Sequence, residues 1–378
     1  MKNLYLHIGI EKTGSTSIQN TFASNREYLK SIGIDYPDCF LLSNHVELAC
    51  IAQNYNSSSE LYSVVGFLGE ENTINDRISR FKKKLRDYVK NSNCEDFVFS
   101  NEHLHSRIKS SAEIERLSEF LYEIFDRVTI VVYFREQLEL AISHYSTAVK
   151  GGEIRDFFIP DVSDEIPYYY DFQKIIDNWN VFDGLVIREF DRNKLIGGDV
   201  VQDFSSLITE KNLEMISMPE SNGSLGASTI ELLKAINLNI PFMKNGRLNP
   251  ARFRLVYFLE KLADNSPIVV NERDAIAFRE HFKSMNKNIA VKFGLPENFL
   301  KKNYKINGSS EVDFKKTISN FCVEVSNHIE FIEVNNLKLK ARVAMLESGE
   351  AAARDILKNA SENGLSIDVD RVINEFKS

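Results

Sequence analysis

Along this 378-residue chain the hydrophobic positions fall in two rhythms. Short unbroken apolar runs bounded by turn residues read as strands buried on both faces, and longer stretches with apolar residues three and four apart read as helices. Four runs are of the first kind: residues 4–8, "DFVFS" (96–100), "VTIVVYF" (128–134) and "GLVIREF" (184–190). The helical rhythm appears in "STSIQNTFASNREYLKSIG", which stops at Gly33, and in "DRISRFKKKLRDYVKNS", residues 111–125, "EQLELAISHYSTAVK" and "YDFQKIIDNWNVF". Residues 34–75, rich in Asn, Ser and Tyr, carry neither rhythm and are expected to be mostly irregular. Strand, helix and strand recurring in this way predict an α/β fold, an open parallel sheet with crossover helices on its faces. From about residue 226 the pattern is mainly helical, and 312–378 is charged, alanine-containing and without a strand signal. The expected division is an α/β domain over 1–310 and a helical extension over 311–378.

Composition narrows the partners. Acidic residues outnumber basic ones, 54 to 46, for a net charge of −8. A nucleic-acid duplex calls for a basic excess, so no nucleic-acid partner is expected. A highly sulfated or phosphorylated polymer is a poor substrate unless a local basic groove overrides the total. No stretch approaches the roughly 20 apolar residues of a membrane span. Met1-Lys2-Asn3 runs at once into "LYLHIGI", too short for the apolar region of a secretory leader, so the chain is expected to be cytoplasmic. Cys39, Cys50, Cys94 and Cys322 are scattered without metal-ligand spacing and read as reduced, mostly buried thiols.

The chemistry concentrates after the first strand, in "LHIGIEKTGSTSIQ". Gly9 and Gly14 keep the spacing of the nucleotide-binding loop G-x-x-x-x-G-K-[ST], and Thr16 keeps its hydroxyl. Ser15, however, stands where that loop has lysine, and Lys12 comes two residues before Gly14. A turn between strand and helix aims backbone N–H groups at one point, where the helix end adds partial positive charge. Lys12 and the hydroxyls of Ser15, Thr16 and Ser17 complete an anion cradle. A second constellation, "YFREQLELAISHYSTA", sets Arg135 at a strand end and Ser143 eight positions later, two turns into the next helix. A forked guanidinium and a hydroxyl so placed suit one phosphate group. Arg135 would repel a metal ion, whereas Glu102, after "DFVFS", is a carboxylate that could ligate one.

In "EKTGSTS" and "FREQLELAISHYS" the chain resembles the sulfotransferases that use 3′-phosphoadenosine 5′-phosphosulfate (PAPS), with a P-loop-type parallel sheet. Its likeness to their bacterial branch continues through "YYYDFQKIIDNW", "VIREFDRNKLIGGDVVQDF" and "SNGSLGASTIELLKAIN", covering roughly residues 4–300. The resemblance implies that Lys12, Thr13, Gly14, Ser15, Thr16 and Ser17 bind the 5′-phosphosulfate, that Arg135 and Ser143 bind the 3′-phosphate, and that Arg188 is an additional site contact. It implies PAPS as donor, no metal, and a hydroxyl-bearing acceptor: a glycan, a glycolipid or a small metabolite. Lys12 would neutralise the leaving phosphate oxygen. The family's base lies at the end of the strand equivalent to "DFVFS", where Glu102, His103 and His105 are all in place and Glu102 is closest. The late glycine-containing basic loop of the animal enzymes is not evident, "KNGRLN" (244–249) being the nearest stretch.

Other residues read as ordinary. His7 is expected to be a hydrogen-bonded packing residue, His45 and His144 have no partner spacing, and "IPYYYDF" (166–172) reads as core and helix entry. Residues 155–167, with Pro160 and Pro167, suit an acceptor-site lid. Lys244, Arg247, Arg252 and Arg254 read as a solvated helix face. Two other functions fit parts of the pattern: a P-loop kinase using ATP and magnesium, which calls for a lysine after Gly14, and a non-catalytic PAPS-binding module. The helix expected over "ARVAMLESGEAAARDILKNASENG" offers an exposed face for packing, a partner, or a homo-oligomer.

Overall fold

The computed structural model describes the whole chain apart from residues 11, 54–60, 63–64, 66–70, 211–212, 217–224, 245–246, 263, 265, 303–313, 363–364, 366 and 378. Each of the four apolar runs is a strand: β1 (Asn3–His7), β3 (Asp96–Ser100), β4 (Arg127–Phe134) and β5 (Gly184–Glu189). A two-residue edge strand, β2 (Ile34–Asp35), joins them from the stretch expected to be irregular. The sheet has five strands in the order β2-β3-β1-β4-β5, all parallel. His7 at the end of β1 registers with Ser100 and Val131 on its two neighbours, and Phe134 registers with Glu189.

The expected helices form with shifts at their ends. Helices α1 (Ser15–Ser24) and α2 (Arg26–Ser31) divide at Asn25 the single helix the periodicity predicts. Next come α3 (Glu47–Ala52), another element inside the supposedly irregular stretch, α4 (Glu71–Asn91), the one-turn α5 (His103–Ser106), α6 (Ser111–Tyr122), α7 (Gln137–Lys150), α8 (Phe172–Trp179) and α9 (Val200–Ser206). Side-chain caps fix several starts. Ser110 and Glu113 form a reciprocal capping box on α6, Asp171 accepts from the Lys174 N–H, and Asp199 accepts from the Val201 N–H.

Alternation along the strands sends side chains to two cores. Leu4, Leu6, Phe97, Phe99, Ile130, Val132, Phe134 and Ile187 face one side, among residues of α4, α6, α7 and α8. Tyr5, Val98, Val131, Tyr133 and Val186 face the other, with Ile18 and Phe22 of α1 and Phe204 of α9. A buried carboxylate pins α9 there. Asp203 is wholly inaccessible and accepts from the Tyr133 hydroxyl at 2.7 Å, from Arg188 Nε at 2.9 Å and Nη2 at 2.5 Å, and from the Ile196 N–H at 3.1 Å.

The chain divides into two compact units. The first, just described, also takes in Val270–Ile306 with helix α12 (Glu272–Lys292), whose Arg279 pairs with Glu136 at 3.1 Å and whose Asn286 exchanges hydrogen bonds with Gln137. The second gathers Ala148–Arg155, Ser224–Val269 and Asn307–Ser378. It holds α10 (Ala227–Asn239), the short hairpin β6 (Met243–Lys244) and β7 (Arg247–Leu248), α11 (Pro250–Glu260), α13 (Phe314–Ser348), α14 (Glu350–Glu362) and α15 (Val369–Lys377). The helix expected across 341–364 breaks at Gly349, whose φ of +88° lies in the left-handed region that glycine adopts freely. Arg252 departs from the expected solvated face. It is fully buried, and its Nη2 donates to the carbonyls of Val149 and Lys150 and to Asn237 Oδ1, so it caps the end of α7. Among the described residues no helix is long and apolar enough to cross a membrane.

Asp203 generates a stability prediction. Asp203→Ala leaves Arg188 without its carboxylate and the Tyr133 hydroxyl without its acceptor, and is expected to cost about 3 kcal/mol. Urea unfolding followed by circular dichroism checks this, and an unchanged midpoint would contradict it.

Candidate functional site

The connections after β1 and β4 leave the sheet in opposite directions, which opens a crevice at the carboxyl ends of these neighbouring strands. The loop after β1 lines it. Gly9 (φ +20°), Lys12 (φ +69°) and Gly14 (φ +80°) all take left-handed backbone. For Lys12 that conformation carries strain, a trait that clusters at functional sites. Gly14 admits no side chain, because a Cβ there would stand 2.7 Å from Val200 Cγ1 and 3.2 Å from Phe190 Cε2. Thr13 is buried and turns its hydroxyl back to the Ile10 carbonyl at 2.6 Å, so it closes the loop rather than facing the crevice.

Helix α1 starts directly after Gly14 with no side-chain cap and no acidic residue in its first turn. Such an end keeps orphan N–H donors and an uncompensated positive dipole. Ser15 is buried, and Thr16 and Ser17 are half-buried.

Arg135, one residue beyond β4, reaches this loop. Its Nη1 donates to the Lys12 carbonyl at 3.3 Å, its Nε lies 3.3 Å from Glu139 Oε2, and its guanidinium stands over the Phe190 ring at 5.9 Å. Among the described residues Nη2 has no hydrogen-bond partner. Ser143 lies on α7, the helix that follows Arg135, and is almost wholly buried. The structure therefore brings the loop and Arg135 together.

Glu102 joins them from the end of β3. Its Cα would lie 3.5 Å from a Cβ built on Gly9. Gln19 Nε2 donates to Glu102 Oε2 at 2.7 Å, and Asn44 Nδ2 donates to Oε1 at 3.2 Å. The Gln19 amide also reaches Ser100 Oγ at 3.3 Å, and Ser100 meets His7 Nδ1 at 2.8 Å, so a polar chain runs from Glu102 into the core. His7 is thus the hydrogen-bonded packing residue the sequence predicts. His103 Nε2 stands 3.9 Å from Glu102 Oε1.

Two expected site residues are otherwise engaged. His105 points into the interior, wholly buried between Tyr168 and Tyr169, and neither ring nitrogen has a partner among the described residues. Burial, with lesser contributions from His144 and Lys109, lowers its pKa to about 3. Arg188 gives Nε and Nη2 to Asp203, and that bond raises its pKa. Position 11 and residues 221–224, which carry part of the family resemblance, lie outside the described residues. Residues 155–167 form neither helix nor strand, as expected.

The sequence reading missed one group. Lys302 lies 3.2 Å from Glu139 and 3.0 Å from Asp191, so an alternating row Arg135–Glu139–Lys302–Asp191 lines the carboxyl edge. Burial alone would lower the Lys302 pKa, but Asp191 and Glu139 hold it above its ordinary value. Burial alone would raise that of Asp191, yet Lys302 keeps it low. The segment after α12 delivers this lysine: the Leu300 N–H donates to Glu189 Oε2 at 3.0 Å, and the Asn298 carbonyl accepts from Lys194 at 2.8 Å. No periodicity signals a pairing across so many residues.

Comparison with protein-family models, with curated proteins and with solved structures finds no match to this chain. The geometry itself defines a mixed α/β fold with helices flanking a parallel sheet, a mostly helical C-terminal region, and a loop of left-handed turns at the sheet's carboxyl edge.

The buried histidines set a pH response. Burial lowers His7, His45 and His105 to about 3. Unfolded histidine takes up its proton near pH 6.5, so below that value the unfolded chain binds protons that the folded chain refuses. Stability is expected to fall as pH drops from about 6.5 towards 3, by up to ~1.4 kcal/mol per pH unit for each histidine. His105→Phe should flatten part of that slope in thermal unfolding between pH 6.5 and 4, and an unaltered slope would count against it.

Proposed function

We propose that this chain is a PAPS-dependent sulfotransferase acting on a hydroxyl of a carbohydrate, glycolipid or small-molecule acceptor. The observation that carries the reading is the hydrogen bond from Arg135 Nη1 to the Lys12 carbonyl, which puts the arginine of the second motif against the loop of the first. A phosphosulfate and a phosphate of one nucleotide need cationic donors at two neighbouring points, and this contact supplies the neighbourhood. The residues present fit the donor: Lys12, the uncapped start of α1, and the open Nη2 of Arg135 are suited to anions.

When bound, PAPS supplies an activated sulfuryl group. The protein's part is positioning and charge. Lys12 neutralises the negative charge that develops on the leaving phosphate oxygen. Glu102, whose backbone lies beside Gly9 and whose carboxylate is held by Gln19 and Asn44, accepts the proton of the acceptor hydroxyl. His105, sealed among aromatic rings, is a poor base by comparison. Glu139 holds Arg135 in place, and Lys302 shares its charge between Glu139 and Asp191.

Thermal unfolding with the desulfonated product, 3′-phosphoadenosine 5′-phosphate, tests the donor site. At ~100 times its dissociation constant a ligand adds roughly 2.7 kcal/mol, expected here without added metal and lost in Lys12→Ala. Glu102→Gln should keep this stabilisation while sulfuryl transfer falls ~10²–10⁴-fold, measured with labelled PAPS against a hydroxyl-acceptor panel. Stabilisation by ATP with magnesium alone would replace this reading with a kinase.

A further inference from the structure

Helix α13 carries a second pattern, unrelated to the crevice. One of its faces is used within its own unit: Thr317 and Ala341 are buried, the His328 ring meets that of Phe258 at a tilt, and Leu337, Ala341 and Met345 pack with Leu357, Val372 and Ile373. Another face holds Ile318, Cys322, Val325, Ile329, Ile332, Asn336, Leu339, Val343 and Leu346, separated alternately by four and three residues. All are exposed except Val325, which is half-buried, and exposure reaches 63% at Leu339 and 83% at Leu346.

A strict 4–3 alternation repeats every 3.5 residues. It is the period of a seam that must follow a supercoiled neighbour, since a 3.6-residue helix drifts about 20° per heptad from it. In heptad terms Cys322, Ile329, Asn336 and Val343 take the a positions, and Ile318, Val325, Ile332, Leu339 and Leu346 take d. Two of the four a residues are β-branched, which favours two strands, and a single a-position asparagine fixes register and oligomer state by pairing with its own copy. The flanking positions agree: in a parallel pair Arg342 (g) of one copy faces Glu347 (e) of the other. Antiparallel pairing centred on residue 332 would instead set Asn336 opposite His328, with no second asparagine to meet it. Two further exposed apolar residues, Val323 and Phe331, lie off the seam.

We propose that this face of α13 is a parallel, in-register two-stranded coiled coil with a second copy of the same chain, running about 42 Å along the helix. Burying the apolar seam drives association, and the Asn336 pair selects the parallel dimer. Because the seam side chains are exposed in the single chain, altering them leaves its internal packing in place.

Light scattering of the full-length protein at micromolar concentration is the test, with a mass twice the 43.3 kDa of one chain expected. Ile332→Asp combined with Leu339→Asp should return a single-chain mass at an unchanged far-ultraviolet spectrum. Mild oxidation should link Cys322 to its counterpart, since the pair would meet at an a position while Cys39, Cys50 and Cys94 are buried, and the link should vanish in Cys322→Ser. A single-chain mass for the natural protein, or a dimer that survives the double substitution, overturns the proposal. A dimer that never links through Cys322 overturns the parallel register.

Discussion

Strand β1 is paired on both edges and buried on both faces, so the chain can leave it only at its ends. Everything at the candidate site depends on how the turn after His7 meets that constraint. The helix that follows must pack against the face lined by Tyr133 and Phe204, which demands a sharp reversal within a few residues. Left-handed backbone at Gly9, Lys12 and Gly14 provides it, and Val200 and Phe190 close over Gly14 so tightly that no side chain fits. The same reversal aims the start of α1 and the Lys12 carbonyl towards the end of β4. The strain at Lys12 is therefore held by the packing around it and stabilised in part by Arg135.

What could be read from sequence follows from the range of the forces involved. The buried strands were legible because a parallel strand covered on both faces has to be apolar almost without interruption. The loop was legible because its glycines answer a local backbone demand. By contrast β2 is two residues long and α3 six, too short for any period to show, and both owe their place to neighbours distant in sequence. The resemblance implies a site contact for Arg188, and nothing near it signals that Asp203, fifteen positions on, takes its guanidinium. Glu102 reads as the closest of three candidate bases, and nothing local shows that His105 is out of reach. Only the packing of Tyr168 and Tyr169 separates the sealed ring from the half-open carboxylate.

The overall charge of −8 is a poor guide to the crevice. Ion pairing at the carboxyl edge alternates in sign: Glu139 lies between Arg135 and Lys302, Lys302 lies between Glu139 and Asp191, and Glu136 stands beside Arg279. Glu139 draws on both Arg135 and Lys302, and Lys302 divides its charge between Glu139 and Asp191. In a partly desolvated cleft such local order outweighs the distant surface acids, which water and salt screen.

Helix α13 shows how one sequence can serve two partners. Its internal face needs contacts only where α10, α11, α14 and α15 offer them, and it takes Thr317, Leu337 and Ala341 without any regular repeat. The exposed face keeps its 4–3 alternation from Ile318 to Leu346 although nothing within the described chain requires it. Exposed apolar side chains scattered singly need no explanation. A continuous row of them does, above all one that places its single polar member at an a position, where self-pairing is what an amide does best. The order of the row is thus accounted for by an interface rather than by the fold, because the fold would be equally well served by polar residues at every one of those sites.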